Sequence, residues 1–214
     1  LISIPVTWAP LSAKNKLSFS NDDIILDIGS NDSTLLQFFN DTTATLVGID
    51  PSGEKFNEYY PSNIQLIPKF FSATAFKDEF GNKKSKLVTS IAMFYDLEDP
   101  ILFMKDIYDI LADDGIWIFE QSYMPTMIKR NAYDTICHEH LEYYGLKQIK
   151  WMTDIVGFKI IDIELNNING GSFCVTVAKN NNFYRENSAL ISQLLALEKK
   201  NGFDSINPYI GFKK

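Results

Sequence analysis

The stretch from Asp23 to Asp50, DIILDIGSNDSTLLQFFNDTTATLVGID, constrains the fold of this chain more than any other. Ile24 to Ile28 is a run of β-formers too continuous to be half-exposed, which suits a strand buried on both faces of a parallel sheet. Gly29 makes a tight turn. Asn31 or Asp32 is placed to cap a helix over Thr34 to Phe39, and a second strand from Thr45 to Ile49 ends at Asp50. Strand, glycine turn, helix, strand and acid describe a nucleotide-binding βαβ unit, in which the acid accepts hydrogen bonds from ribose hydroxyls.

The glycine count separates the nucleotides that such a unit takes. A dinucleotide fingerprint needs three glycines around a pyrophosphate, whereas Gly29 is followed by Ser30, Asn31, Asp32 and Ser33. NAD is therefore disfavoured. S-adenosylmethionine has no phosphate and carries positive charge, so Asp27 and Asp32 suit it. The segment resembles the first motif of the class I methyltransferases, an acid, a glycine and then small or polar residues. The same residues also fit an ordinary α/β turn that holds no ligand.

The 214 residues suffice for one domain with a full core and an appendage. No run matches a membrane span or a signal peptide, so the expected location is cytoplasmic, without a membrane partner. The two cysteines, Cys137 and Cys174, cannot make a disulfide framework, which fits a reducing compartment. A net charge of -7 argues against nucleic acid as a partner, and Lys83, Lys84 and Lys86 read as a solvated loop. The chain opens at Leu1 and is read as a fragment or a processed chain. Residues 1–20, with Pro5, Trp8 and Pro10, form a lead-in with one helix over the sheet, 21–180 the main domain, and 181–214 a C-terminal helix opening a truncated second domain.

Further strands are expected at Ile64 to Pro68, Leu87 to Met93 and Ile116 to Glu120, with a short helix over Glu54 to Tyr60 and a longer one from Pro100 to near Asp114-Gly115. Their carboxyl ends make the ligand edge. Asp27, Gly29, Ser30, Asn31, Asp32, Asp50, Pro51, Phe71, Ser72, Ala92 and Met93 are the expected cofactor residues. Phe70 and Phe71 each fit either an adenine platform or the core, with Phe70 the better core candidate. After Glu120 the alternation changes: a helix over Lys147 to Val156 precedes strands at Phe158 to Leu165 and Ser172 to Lys179, joined by an Asn/Gly-rich turn. Two strands so joined are antiparallel neighbours. Five parallel units closed by a hairpin match the sheet of the class I methyltransferases.

Both histidines lie in Tyr133 to Tyr144, within the string DTICHEH. A histidine titrates near neutrality and suits a general base. A zinc site would need further ligands, with only Glu139, Glu142 or a distant cysteine at hand, and no metal is expected. With the Asn169-Gly170-Gly171-Ser172 turn some thirty residues on, the string resembles the C-methyltransferases of nucleotide-linked keto-sugars, over about Ile24 to Lys179. That resemblance implies an α/β Rossmann-like class I fold: a mainly parallel seven-stranded sheet ending in an antiparallel hairpin, helices on both faces. It implies S-adenosylmethionine as cofactor, S-adenosylhomocysteine as product, and a nucleotide-linked sugar as small-molecule substrate. His140 matches the base, Glu139 orients it, and His138 stands in reserve. Tyr95, Gln121, Tyr123, Tyr143, Asn169, Gly170 and Gly171 are the expected substrate residues. Family members often carry tyrosine where this chain has Cys137. Two alternatives stay open, an O- or N-methyltransferase on another small molecule and a non-catalytic binding domain.

Overall fold

The computed structural model describes residues 8–133 and 135–212. Residues 1–7, with Pro5 of the lead-in, Asp134 of the DTICHEH string, and residues 213–214 lie outside them. The strands are β1 (Ile24–Ile28), β2 (Thr45–Ile49), β3 (Ile64–Ile67), β4 (Ser85–Ile91), β5 (Leu111–Ser122), β6 (Phe158–Asn166) and β7 (Ser172–Lys179). They form one seven-stranded sheet in the order β3-β2-β1-β4-β5-β7-β6. All pairings are parallel except those of β7, which runs antiparallel to both β5 and β6. The strand order turns back between β1 and β4, so a crevice opens there at the carboxyl edge.

The helices are α1 (Trp8–Lys16), α2 (Thr34–Gln37), α3 (Ala73–Phe80), α4 (Pro100–Ile110), α5 (Met124–Arg130), α6 (Leu146–Val156), α7 (Ser188–Lys200) and α8 (Asn207–Phe212). Successive strand residues face opposite ways, and β1 divides accordingly. Ile24, Leu26 and Ile28 join a core under α4, α6 and α7, while Ile25 joins a second core under α1 and α2. Helices thus cover both faces. The larger core is aromatic at its centre: Trp117 is fully buried, donates Nε1–H to Ser90 Oγ at 2.9 Å and stacks on Phe119. Phe94 packs against Trp117, Phe119, Phe103 and Tyr144. Burying such a ring stabilises by roughly 1.5–3 kcal/mol, and Phe94 lies in the 3₁₀ turn Phe94–Asp96 that leaves β4. The core therefore fixes the turn that carries Tyr95 and Asp96.

Several elements depart from the sequence expectation. Leu87 to Met93 was expected as strand, but β4 starts at Ser85 and stops at Ile91, because Ala92 takes a left-handed φ of 55°. The helix expected to run to near Asp114-Gly115 ends at Ile110, and β5 begins directly at Leu111, ahead of the expected Ile116. The expected helix at Glu54 to Tyr60 is 3₁₀, Gly53–Tyr59. Helices α3, α5 and α8 were not foreseen. At α2 the cap position falls to Ser33, without a side-chain bond, while Asp32 Oδ1 accepts from Thr34 N at 3.1 Å.

Candidate active site

The first turn is built by left-handed backbone. Gly29 has φ 75°, Asn31 φ 45° and Ser33 φ 64°, and Gly29 N–H is held by the Ile49 carbonyl at 3.0 Å. Asp50 is 5 % exposed. Its Oδ2 accepts from Asn31 N at 2.9 Å, and its Oδ1 accepts from Ser52 N and Ser52 Oγ, each at 2.7 Å. A carboxylate oxygen takes about two donors, so Oδ2 keeps one acceptor direction. Asp27 accepts from Thr89 Oγ1 at 2.6 Å. Burial pushes its carboxyl up to about 7, Thr89 opposes that rise and the charge of Asp50 adds to it. Ser30 Oγ pairs with Tyr60 OH at 2.8 Å, and a Cβ on Gly48 would come within 2.5 Å of that Oγ, so β2 needs glycine there.

A cavity of ≈ 280 Å³ opens where β1, β2 and β4 end, lined by Gly29, Ile49, Pro51, Phe71, Met93 and Asp96, with Phe70 on it as well. Phe71 packs edgewise on Phe103, ring centres 5.2 Å apart. Phe70 is 82 % exposed, which overturns the core reading of that ring: the strand ends at Ile67 and leaves it on the cavity. Ser72 Oγ accepts from Ala75 N at 3.0 Å and so caps α3.

The DTICHEH string runs between α5 and α6 and docks on the turn after β4 through Leu141 N and Glu142 N, which both donate to the Tyr95 carbonyl. His140 Nδ1 lies 2.6 Å from the carbonyl oxygen of Thr135. A carbonyl only accepts, so Nδ1 carries the hydrogen and neutral His140 has its lone pair on Nε2. Nε2 is 3.9 Å from Asp96 Oδ1, and the Tyr95 ring lies against the imidazole, centres 4.0 Å apart. Burial raises the Asp96 carboxyl, His140 lowers it and Glu139 raises it further. Thr135 is itself buried and donates Oγ1–H to Met127 Sδ at 3.3 Å, and Tyr143 OH donates to the same Thr135 carbonyl at 3.2 Å. His138, Glu139 and Cys137 are exposed. His140 is thus hydrogen-bonded to the Thr135 backbone and lies near Asp96, a neighbour the sequence did not disclose.

The remaining expected residues divide by partner. Tyr95 is 7 % exposed, and burial raises its phenol. Gln121 is 1 % exposed, with neither amide atom hydrogen-bonded. Tyr123 OH donates to Glu198 Oε1 at 2.7 Å, and burial next to that carboxylate raises the phenol. The Asn169 turn is clamped to α5: Arg130 donates to Gly170 O at 3.2 Å and to Asn167 Oδ1 at 2.6 Å. A Cβ on Gly171 would lie 2.2 Å from Thr126 Cγ2, so packing alone requires that glycine.

A family model described as a methyltransferase domain matches residues 8–163. The chain belongs to that family. It is 25% identical over 199 residues to the C-methyltransferase NovU of Streptomyces niveus, a match covering 92% of this chain and 47% of that relative. The chain thus spans about half the length of the curated relative it matches. The plantazolicin methyltransferase BpumL, solved with a pentazolic desmethylPZN analog and SAH, superposes with a TM-score of 0.61 at 15% identity, covering 83% of this chain and 86% of that one. The Burkholderia thailandensis 1,6-didemethyltoxoflavin-N1-methyltransferase gives 0.61 at 10% identity, covering 81% and 77%. These two likenesses carry the fold. The cofactor of such a domain is S-adenosylmethionine, and the residues present fit it: buried acids for a cationic ligand, one open acceptor on Asp50, and an apolar cavity beside them.

Proposed function

We propose that the chain methylates carbon in a keto-sugar linked to a nucleotide, with His140 as the base. The observation that carries this reading is the 2.6 Å contact of His140 Nδ1 with the Thr135 carbonyl, which leaves the lone pair of the neutral ring on Nε2, beside Asp96 at the edge of the cavity. S-adenosylmethionine supplies an electrophilic methyl group there and is left as S-adenosylhomocysteine. The chain's own part is the proton. His140 Nε2 takes it from the carbon beside the ketone, the electron pair moves onto the carbonyl oxygen, and the resulting imidazolium passes the proton to solvent. Asp96, close to Nε2, stabilises that imidazolium. The similarity to NovU and the paired DTICHEH and NGGS strings support carbon as the acceptor atom.

We take residues 21–180 as the catalytic domain, led in by 1–20, with 181–214 opening a further part that encloses the sugar. The free thiols, Cys137 exposed and Cys174 buried, support a reducing, cytoplasmic setting. Among the described residues no helix is long and apolar enough to cross a membrane.

His140→Ala is expected to lower turnover by about 10²–10⁴, the range of general-base catalysis, while calorimetric affinity for S-adenosylmethionine holds. Equal turnover in that variant would remove His140 from the role.

A further inference from the structure

We infer that Tyr133 is a positioning residue for His140, and that α8, by holding Tyr133, sets the aim of the base. The inference rests on the reading above in one respect, that His140 is the base.

Tyr133 opens the string that carries the two histidines, directly after α5. Phe212, at the end of α8, lies nearly flat against it, with ring centres 4.5 Å apart and planes inclined by 16°. The Tyr133 phenol also donates to the Phe212 carbonyl. Stacking fixes the plane of the ring and the hydrogen bond fixes its rotation within that plane, so the two contacts together hold Tyr133 in one place.

From Tyr133 the path to the base is a single peptide group. The Tyr133 carbonyl accepts from Ile136 N at 3.0 Å. That N–H belongs to the same peptide unit as the Thr135 carbonyl, and the unit is planar, with its N–H and C=O pointing in opposite directions. Holding the N–H therefore aims the carbonyl. Thr135 O in turn accepts from His140 Nδ1 at 2.6 Å and from Tyr143 OH at 3.2 Å. The contacts thus run without a gap from Phe212 through Tyr133 and the Thr135–Ile136 peptide to His140, and the bond on Nδ1 decides which ring nitrogen keeps the lone pair.

The far end of the string rests on the same pair of helices. Glu198 of α7 accepts from Leu146 N and Lys147 N, and the Lys147 ammonium pairs with Asp204, which lies between α7 and α8. Residues 188–212 therefore grip the string at both ends. The grip at Glu198 is buried, whereas Tyr133 is 49 % exposed, so the stack can be removed without opening the core.

The test uses the full chain with Phe212→Ala, which removes the stack from the α8 side, and with Tyr133→Ala and Tyr133→Phe. The chain has two histidines, so NMR of the imidazole nitrogens reads each ring without a substrate. Above the titration of the ring, wild-type His140 is expected as the Nδ1–H tautomer. In both alanine variants it is expected to become a mixture of the two tautomers, while the exposed His138 stays as in the wild type. Tyr133→Phe keeps the stack and is expected to retain most of the wild-type signal. With a nucleoside-diphosphate-linked keto-hexose as probe, kcat is expected to fall about ten- to a hundredfold in the alanine variants, with KM and affinity for S-adenosylmethionine within about twofold. A wild-type His140 tautomer and an unchanged kcat in both alanine variants would overturn the inference, even with a lowered thermal midpoint, because the stack would then hold α8 in place and nothing more. If the wild-type chain leaves the keto-hexose unmethylated, the proposed substrate fails by itself, and the tautomers decide the role of Tyr133.

Discussion

Asp27 joins the stability of the free chain to the charge of its ligand. Its carboxyl is raised to about 7 from 3.8, so between those values the fold holds a proton that the unfolded chain has released. Stability therefore falls as pH rises through that window and levels off above it, the full penalty being up to about 4 kcal/mol. Asp27→Asn keeps an acceptor for Thr89 and removes the charge. It should flatten the stability curve between about pH 4 and 7 and raise the midpoint at pH 8. A cationic ligand favours the ionised acid, so binding of S-adenosylmethionine should release a proton and tighten from pH 6 to pH 8. Calorimetry in buffers of different ionisation heat reads both effects, and an unchanged pH dependence in Asp27→Asn would assign them elsewhere. At this scale the sequence disclosed the acids and histidines but not their pairing. Asp96 stands 44 positions before His140, and only the turn after β4 brings them together. Thr135 contributes a backbone carbonyl, which no residue type announces.

Helix α6 shows how one element depends on another far along the chain. Its cap position is Gly145, which has no side chain to offer, and Glu198 of α7 takes over the task. Glu198 Oε1 accepts from Leu146 N at 2.6 Å and Oε2 from Lys147 N at 3.2 Å, while Tyr123 OH shares Oε1. A carboxylate also suits the positive end of the helix dipole. Glu198→Ala leaves the buried Leu146 N–H and Tyr123 O–H and the part-buried Lys147 N–H without an acceptor and should cost about 3–5 kcal/mol, lowering the thermal midpoint by roughly 10 °C. A midpoint within about 2 °C of wild type would mean that water replaces the carboxylate without loss. The sequence held a signal for this: Ile191, Leu194 and Glu198 fall on one helical stripe, and an acid on an apolar stripe calls for a buried partner. Strands β1, β2 and β7 were legible to the residue, because each is a short run rich in apolar β-formers and bounded by turn residues. Helices α3 and α5 were not. Ser72 reads equally as a ligand residue or a cap, and Pro125 breaks the apparent period of a helix in which it occupies the first turn.

For the molecule as a whole, the order of elements was the strongest guide. Parallel βα units closed by a hairpin without an intervening helix describe this sheet, and the crevice at its strand-order reversal holds the cavity lined by Gly29, Pro51 and Met93. The chemistry above that edge depends on long-range contacts: the string after α5 docks on the turn after β4, which the aromatic core fixes through Phe94. The central claim is that this assembly makes an enolate before any methyl group moves. Its direct test is solvent deuterium exchange, followed by NMR, at the carbon beside the ketone of a nucleoside-diphosphate-linked keto-hexose, with S-adenosylhomocysteine in place of the methyl donor. Exchange that the wild-type chain catalyses and His140→Ala abolishes is the predicted result. Exchange that is absent from the wild type, or equal in the two proteins, would contradict it.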